Sequence, residues 1–198
     1  MTDSFSAQHI LDYWHDKGVI ADPALLYPFV ADATPQSFAS DETVVAAGNH
    51  SNHLFFVHSG LLRLYYLSPE GKERNKAFYG PGHFVGAVSA AITQSTAPFS
   101  IAALEPTQVV TLDFHRLYES APEHPALSKN VIALLSEAFI RNEQREAILL
   151  TGNAEQRYKW LQDNEPELLR RVPQFHIASY LGVDAVSLSR LKGKLKRN

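Results

Sequence analysis

Between Gln36 and Asp113 four glycines, Gly48, Gly60, Gly71 and Gly82, fall twelve, eleven and eleven residues apart. Short β-branched and aromatic runs fill the intervals: Val44-Val45, LFFVHSGLLRLYYL from 54, FVGAV from 84, FSIAAL from 99 and VVTLDF from 109. Runs of this length, broken at regular intervals by turn residues, predict an all-β unit: a sandwich, roll or barrel. Ser68-Pro69-Glu70-Gly71-Lys72 predicts a hairpin turn, with proline early and glycine where a positive φ is needed.

Outside that block the pattern is helical. Residues 8–17 and 23–30 read as short helices that contribute core aromatics, among them Trp14 and Phe29. His115 to Ser120 predicts another, and Pro122 and Pro125 open a long helix that runs to about Leu150. Two stripes at alternating spacings of four and three follow it. One is Leu127, Val131, Leu134, Ala138, Arg141, Arg145 and Ile148, and beside it lie Leu135, Phe139, Asn142, Glu146 and Leu149. Together they exceed the face of roughly 100° that one packing partner covers, so one stripe is expected on the β unit and the other on a second copy of the chain. The expected dimer interface is Leu127, Val131, Leu134, Ala138, Arg141 and Arg145, and the polar RNEQRE from Arg141 either sets register or faces a ligand. A further helix over 154–165 places Tyr158 and Leu161 inward and Arg157 and Lys159 mostly outward.

The last segment, Phe175 to Arg197, carries two short helical patterns joined by Leu181-Gly182-Val183-Asp184. Asp184 is placed as an N-cap, and Ala185, Leu188, Leu191 and Leu195 form one apolar stripe. Gly182 stands where the first helix must stop in a left-handed conformation. From Asp184 to Arg197 five Lys/Arg face one Asp, a local net of about +4, whereas the whole chain carries −3, so the remainder sums to about −7. A basic tip on an acidic body predicts an anionic partner at the tip, and two helices joined by a glycine turn predict a helix-turn-helix that puts its second helix into a DNA groove.

Several classes are excluded or disfavoured. The chain has no cysteine, which removes disulfides, thiolate-held iron–sulfur clusters and a thiol nucleophile. No apolar run approaches the roughly 18 residues of a membrane span, and the first ten residues do not read as a signal, so a cytoplasmic protein without membrane association is expected. His50, His53 and His58 cluster around one strand, but His53 and His58 have opposite parity and point to opposite faces, so no metal site or other cofactor is expected. Nucleophile-triad, P-loop and dinucleotide signatures are absent, and no enzyme is expected.

The order of a glycine-punctuated β unit, a long helix and a C-terminal helix-turn-helix resembles the Crp/Fnr family of bacterial transcription regulators. HLFFVHSGLLRLYY at 53–66, PGHFVGA at 81–87 and HIASYLGVDAVSLSRLKGKL at 176–195 carry the resemblance. It implies an α+β chain: a jelly-roll-like cyclic-nucleotide-binding roll with N-terminal helices over 1–121, a dimerisation helix over 122–151 and a DNA-binding domain over 152–198. The family's usual β-wing after the last helix is missing or truncated in this sequence.

Relatives that bind cyclic AMP place Gly-Glu in a phosphate cassette, where this chain has Gly86-Ala87, and follow it with Arg-Ser, where this chain has Ala97-Pro98. The adenine-contacting Thr-Ser corresponds to Asn142-Glu143. A degenerate effector pocket of Phe84, Val85, Gly86, Ala87, Ala97, Pro98, Phe99, Asn142 and Glu143 is therefore expected, with cyclic AMP binding lost for want of the arginine. Any small-molecule effector held there is expected to be more apolar.

The DNA-binding set is Val186, Ser187, Ser189, Arg190, Lys192, Lys194 and Arg197. Arg190 takes the place of a family DNA-contacting arginine, whereas Val186 offers only a methyl contact, so phosphate contacts look fuller than the base code. The expectation is a homodimeric regulator of double-stranded DNA. The alternative is an effector-binding or protein-interaction module on the same scaffold without specific DNA binding.

Overall fold

The computed structural model describes residues 6–16 and 26–195. Lys17, Gly18, the start of the helix expected over 23–30, and the basic Lys196 and Arg197 lie outside the described residues. The chain is α+β and divides into two compact units. The first is Met1–Leu64 with Phe78–Glu137, and the second is Tyr65–Ala77 with Ala138–Asn198.

In the first unit the helices α1 (Ala7–Asp16) and α2 (Tyr27–Val30) precede an antiparallel roll. Its strands are β1 (Thr34–Phe38), β2 (Thr43–Val45), β3 (His53–Ser59), β4 (Leu62–Leu67), β5 (Glu73–Tyr79), β6 (Phe84–Gly86), β7 (Ser100–Ala103) and β8 (Thr107–Asp113). They form two four-stranded sheets, ordered β1-β8-β3-β6 and β2-β7-β4-β5. Alternation decides the packing of the first sheet. Leu54 and Phe56 on β3, with Val110 and Leu112 on β8, join Ile10, Leu11, Trp14, Leu26 and Val30 in one buried cluster. Phe55, Val57, Val109 and Thr111, one residue out of phase, face the other way and are also buried. The helix α3 (Val88–Thr93) follows β6, and α4 (Phe114–Ser120) follows β8 with Asp113 as N-cap.

All four regular glycines have positive φ, and Gly60 is in addition tightly packed. Its φ is +90°, and a Cβ there would lie 2.3 Å from Thr107 Oγ1 and 2.6 Å from Pro106 O. The β3–β4 turn therefore closes against the chain entering β8 only with glycine at this place.

The long helix α5 (Pro125–Thr151) has 27 residues and is shared, with Pro125 to Glu137 in the first unit and the rest in the second. A division at 121 and 151 thus differs from the compact units, because apolar Leu127 and Val131 pack into the roll's outer cluster while later turns pack elsewhere. The second unit adds the tip of the β4–β5 hairpin, α6 (Ala154–Asn164), α7 (Pro166–Arg171), α8 (Gln174–Leu181) and α9 (Ala185–Leu195). Its buried residues include Tyr158, Leu161, Leu168, Val172, Ile177, Ala178, Tyr180, Leu181 and Leu188. Tyr158 and Leu161 face inward as the spacing predicts, but Arg157 does not face outward. Its guanidinium donates to Gly152 O, Leu181 O and Leu149 O, taking up carbonyls that the ends of α5 and α8 leave free.

Candidate nucleic-acid interface

The helix α8 ends at Gly182, whose φ of +67° lets its N–H turn back onto the last helical carbonyls. Two residues later Asp184 caps α9, accepting from Ser187 N at 2.8 Å and Ser187 Oγ at 2.7 Å. Those two bonds hold its carboxyl below the usual aspartate range. Leu188, 1% exposed, anchors α9 in the unit, with Leu191 and Leu195 half-buried along the same stripe. Ala185 departs from that stripe and is exposed.

The outward face carries most of the expected DNA-binding set. Val186 is 59% exposed, and Ser187, Ser189, Arg190 and Lys194 are exposed, with Lys192 half-buried. Two of these groups already have partners within the chain. The Ser187 hydroxyl donates to the cap, and Lys194 Nζ pairs with Glu155 Oε2 at 3.2 Å across an exposed site. Arg197 lies outside the described residues. The clearest outward donors are therefore Arg190 and Ser189, set one residue apart beside the methyls of Val186.

A partly buried polar network lies in the same unit. Tyr180, 1% exposed, donates from its hydroxyl to Glu165 Oε2 at 2.9 Å. Arg141 donates to Glu165 Oε1 from Nε at 3.1 Å and from Nη2 at 2.9 Å. Burial, with the Glu165 carboxylate next, pushes the Tyr180 phenol well above its ordinary value. Arg145 lies 4.4 Å above the Tyr180 ring and donates to Tyr180 O and Asn75 O. From the hairpin tip, Asn75 Nδ2 donates to His176 O at 3.0 Å and lies 3.1 Å from His176 Nδ1, while Asn75 N donates to Ser179 Oγ.

That network changes the reading of the long helix. Arg141 and Arg145 are bound to groups of their own chain, and Leu127 and Val131 are buried in the roll's cluster at 1% and 8% exposure. Four of the six residues expected at a dimer interface are thus already used within one chain, and Leu134 and Ala138 are half-buried. The apolar side chains left outward are Ile132, Phe139, Ile140 and Leu150, at 63%, 67%, 52% and 77% exposure. Ile132, Phe139 and Leu150 are spaced by seven and eleven, a seam interval that the denser neighbouring stripes hide in the sequence.

The residues of the expected effector pocket fall in both units. In the first, Val85, Ala87, Ala97 and Phe99 are buried, Phe84 and Gly86 are half-buried and Pro98 is exposed. Gly86 is tightly placed, since a Cβ there would meet His53 O at 2.6 Å. Ala87 and Ala97, where cyclic-AMP binders carry a carboxylate and a guanidinium, are 1% and 2% exposed methyls. In the second unit Asn142 Oδ1 accepts from Lys76 Nζ at 3.3 Å, and Glu143 is exposed.

Among the described residues no helix is long and apolar enough to cross a membrane, and no three His, Asp or Glu side chains group as metal ligands.

Comparison with known proteins fits this architecture. Residues 35–121 match the cyclic nucleotide-binding domain. Over 167 residues the chain is 29% identical to the anaerobic regulatory protein of Haemophilus influenzae, covering 79% of this chain but only 64% of that relative's length. It is 26% identical to the transcriptional activator protein Anr of Pseudomonas aeruginosa over 79% of this chain and 68% of the relative. These relatives are named as regulators and not as enzymes. Among solved structures, FixK2 from Bradyrhizobium japonicum superposes with a TM-score of 0.69 at 20% identity, covering 83% of this chain and 85% of its own. The c-di-GMP-responsive regulator CLP of Xanthomonas campestris gives 0.70 at 19% identity over 89% and 92%. Residues 35–121 thus carry a cyclic nucleotide-binding domain, and over most of its length the chain is similar to named transcription regulators of the Crp/Fnr type.

Proposed function

We propose that the protein is a DNA-binding transcription regulator that acts as a homodimer. The observation that carries this reading is α9 itself, anchored on one side by Leu188 while Val186, Ser189 and Arg190 face outward behind a fixed N-cap. A helix held in this way offers its N-terminal half to a major groove and its cations to phosphates. Ile132, Phe139 and Leu150 supply a pairing surface for a second copy. Two copies related by a two-fold axis would read half-sites about one helical turn, roughly 34 Å, apart.

Cyclic AMP is not the signal in this reading. With alanine methyls where relatives place the ribose acceptor and the phosphate cation, a cyclic phosphate would be desolvated without a countercharge, which costs several kcal/mol. A second reading, an interaction module without specific DNA binding, draws on the internal engagement of Ser187 and Lys194.

Selection from a random-sequence duplex library with purified protein, followed by a salt titration, separates the two readings. A regulator enriches a two-fold motif and shows a steep fall of affinity with salt, because phosphate neutralisation releases counterions. Arg190→Ala is expected to weaken binding and relax one base position by about 1–3 kcal/mol. Retention without a motif, with Arg190→Ala indistinguishable from the parent, would favour the module.

A further inference from the structure

Asn75, in the tip of the β4–β5 hairpin, is 3% exposed, and His176 on α8, the helix that leads into α9, is 7% exposed. Asn75 Nδ2 donates to His176 O at 3.0 Å and lies 3.1 Å from His176 Nδ1. A backbone carbonyl can only accept, so the amide nitrogen of Asn75, and not its oxygen, is turned toward α8. That fixes the imidazole as well. Its Nδ1 faces an amide nitrogen that only donates and must carry the lone pair, which leaves the ring neutral with its proton on Nε2.

Protonation at Nδ1 would set two donors against each other 3.1 Å apart. Turning the amide over would offer its oxygen to the imidazolium but press that oxygen against the His176 carbonyl, so one of the two bonds is lost either way. The surroundings do not favour the cation. The charged groups that α5, α6 and its C-cap bond to α8 are Arg145, Arg157 and Glu165, and Glu73, Arg74 and Lys76 surround Asn75 in β5. The helices α7 and α9, also packed on α8, carry one carboxylate, Glu167, against five Lys or Arg. This neighbourhood is net positive, which adds to the cost of charging the ring.

We infer that Asn75 and His176 form a pH-sensitive latch between the hairpin tip and α8, closed while His176 is neutral and released when its Nδ1 is protonated. Two further bonds tie the same pieces. Asn75 N donates to Ser179 Oγ at 3.0 Å, and Ser179 Oγ donates to Glu73 O at 3.2 Å, so loss of the Asn75 bonds loosens the tip and α8 together. An unperturbed imidazole titrates at about pH 6.5, so the latch stabilises fully above that value and is lost as pH falls below it. Only the consequence for DNA, a weaker hold on α9 in acid, rests on the proposed function.

The experiment is hydrogen exchange of the full chain without DNA at about pH 7.5 and about pH 5.5, corrected for the intrinsic pH dependence of exchange and repeated on His176→Asn and Asn75→Asp. Asparagine at 176 keeps an acceptor near the place of Nδ1 that does not titrate, and aspartate at 75 offers a carboxylate to the protonated ring. In the parent, residues 65–77 and 174–181 are expected to lose protection together in acid by about fivefold, the equivalent of one hydrogen bond, while β3 keeps its protection. His176→Asn should abolish that loss, and Asn75→Asp should reverse its sign. Equal protection of the parent at both pH values would overturn the inference, as would an acid loss that persists unchanged in both variants. The parent's response is decisive even where a variant fails to fold. Since no DNA is present, failure to bind DNA would count only against the proposed function.

Discussion

In the second unit Glu165, Tyr180, Arg141 and Arg145 are joined by hydrogen bonds, with Asn75 and His176 attached through the hairpin tip. In the first unit Thr111 Oγ1 and Asn130 Oδ1, on residues more deeply buried than Glu165, Arg141 and Arg145, bond to nothing in the chain, whereas in the network Arg145 leaves only its Nε over while Nη2 holds two carbonyls. The two regions bury polar atoms for different ends. Where partners are supplied internally, the polar groups fix one arrangement of helices and leave α9 outward. Where they are withheld, the fold keeps a desolvated group at a cost in stability. The contrast would fail if removing groups from the network proved harmless or removing the unpaired ones proved harmful.

The largest effect is expected at Glu165. Its side chain is 15% exposed and that of Arg141 25%, so Glu165→Ala strips a guanidinium and a phenol of their acceptor in a site only partly open to solvent. Removing one partner of a fully buried pair costs about 3–5 kcal/mol, and with this exposure about 2 kcal/mol is expected. In a chain of this length that lowers the melting temperature by about 4–8 °C. A loss below about 0.5 kcal/mol in denaturant unfolding would mean that the network is ornamental and apolar packing alone holds the unit.

A smaller, pH-dependent effect is expected at Tyr180. Its phenol is raised by burial and by Glu165, so the unfolded chain loses that proton first, near pH 10. The stabilisation is therefore complete below about pH 10 and is lost as pH rises beyond it. Tyr180→Phe should cost about 1 kcal/mol at neutral pH through the missing bond to Glu165 and should flatten the fall of stability above pH 10. Parallel alkaline curves for parent and variant would show that Tyr180 is not the titrating group.

Much of this architecture was written locally. The glycine intervals, the Ser68–Lys72 turn, the length of α5, the Asp184 cap and the Gly182 stop each follow from a few neighbouring residues. The strands β1 and β5, TPQSF and ERNKAFY, carry little apolar alternation, because β1 is exposed along most of its length and β5 buries Asn75. Short α7 starts at Pro166 without an apolar stripe of its own. Of the candidate surface, Arg190 and Val186 were legible from helical phase. The use of Arg141 and Arg145 was not, since their partners Glu165, Tyr180 and Asn75 lie 24, 35 and 70 residues away.

The smallest effect, of opposite sign, is expected at Asn130 on α5. Its Nδ2 donates to Ala126 O at 2.7 Å, but Oδ1 lies without a partner at 2% residue exposure, lining a void of about 10 Å³ among Trp14, Leu54, Phe114 and Leu127. That volume is close to the lower limit for one water, and the other nine lining residues are all apolar or aromatic, so a water there would lack the two or more partners it needs. Asn130→Leu has nearly the same shape and returns the Ala126 carbonyl to ordinary helical bonding. It should raise stability by about 0.5–1 kcal/mol, or about 1–4 °C in melting temperature. A loss of stability instead would place Asn130 beside Glu165, as a polar group that the fold needs.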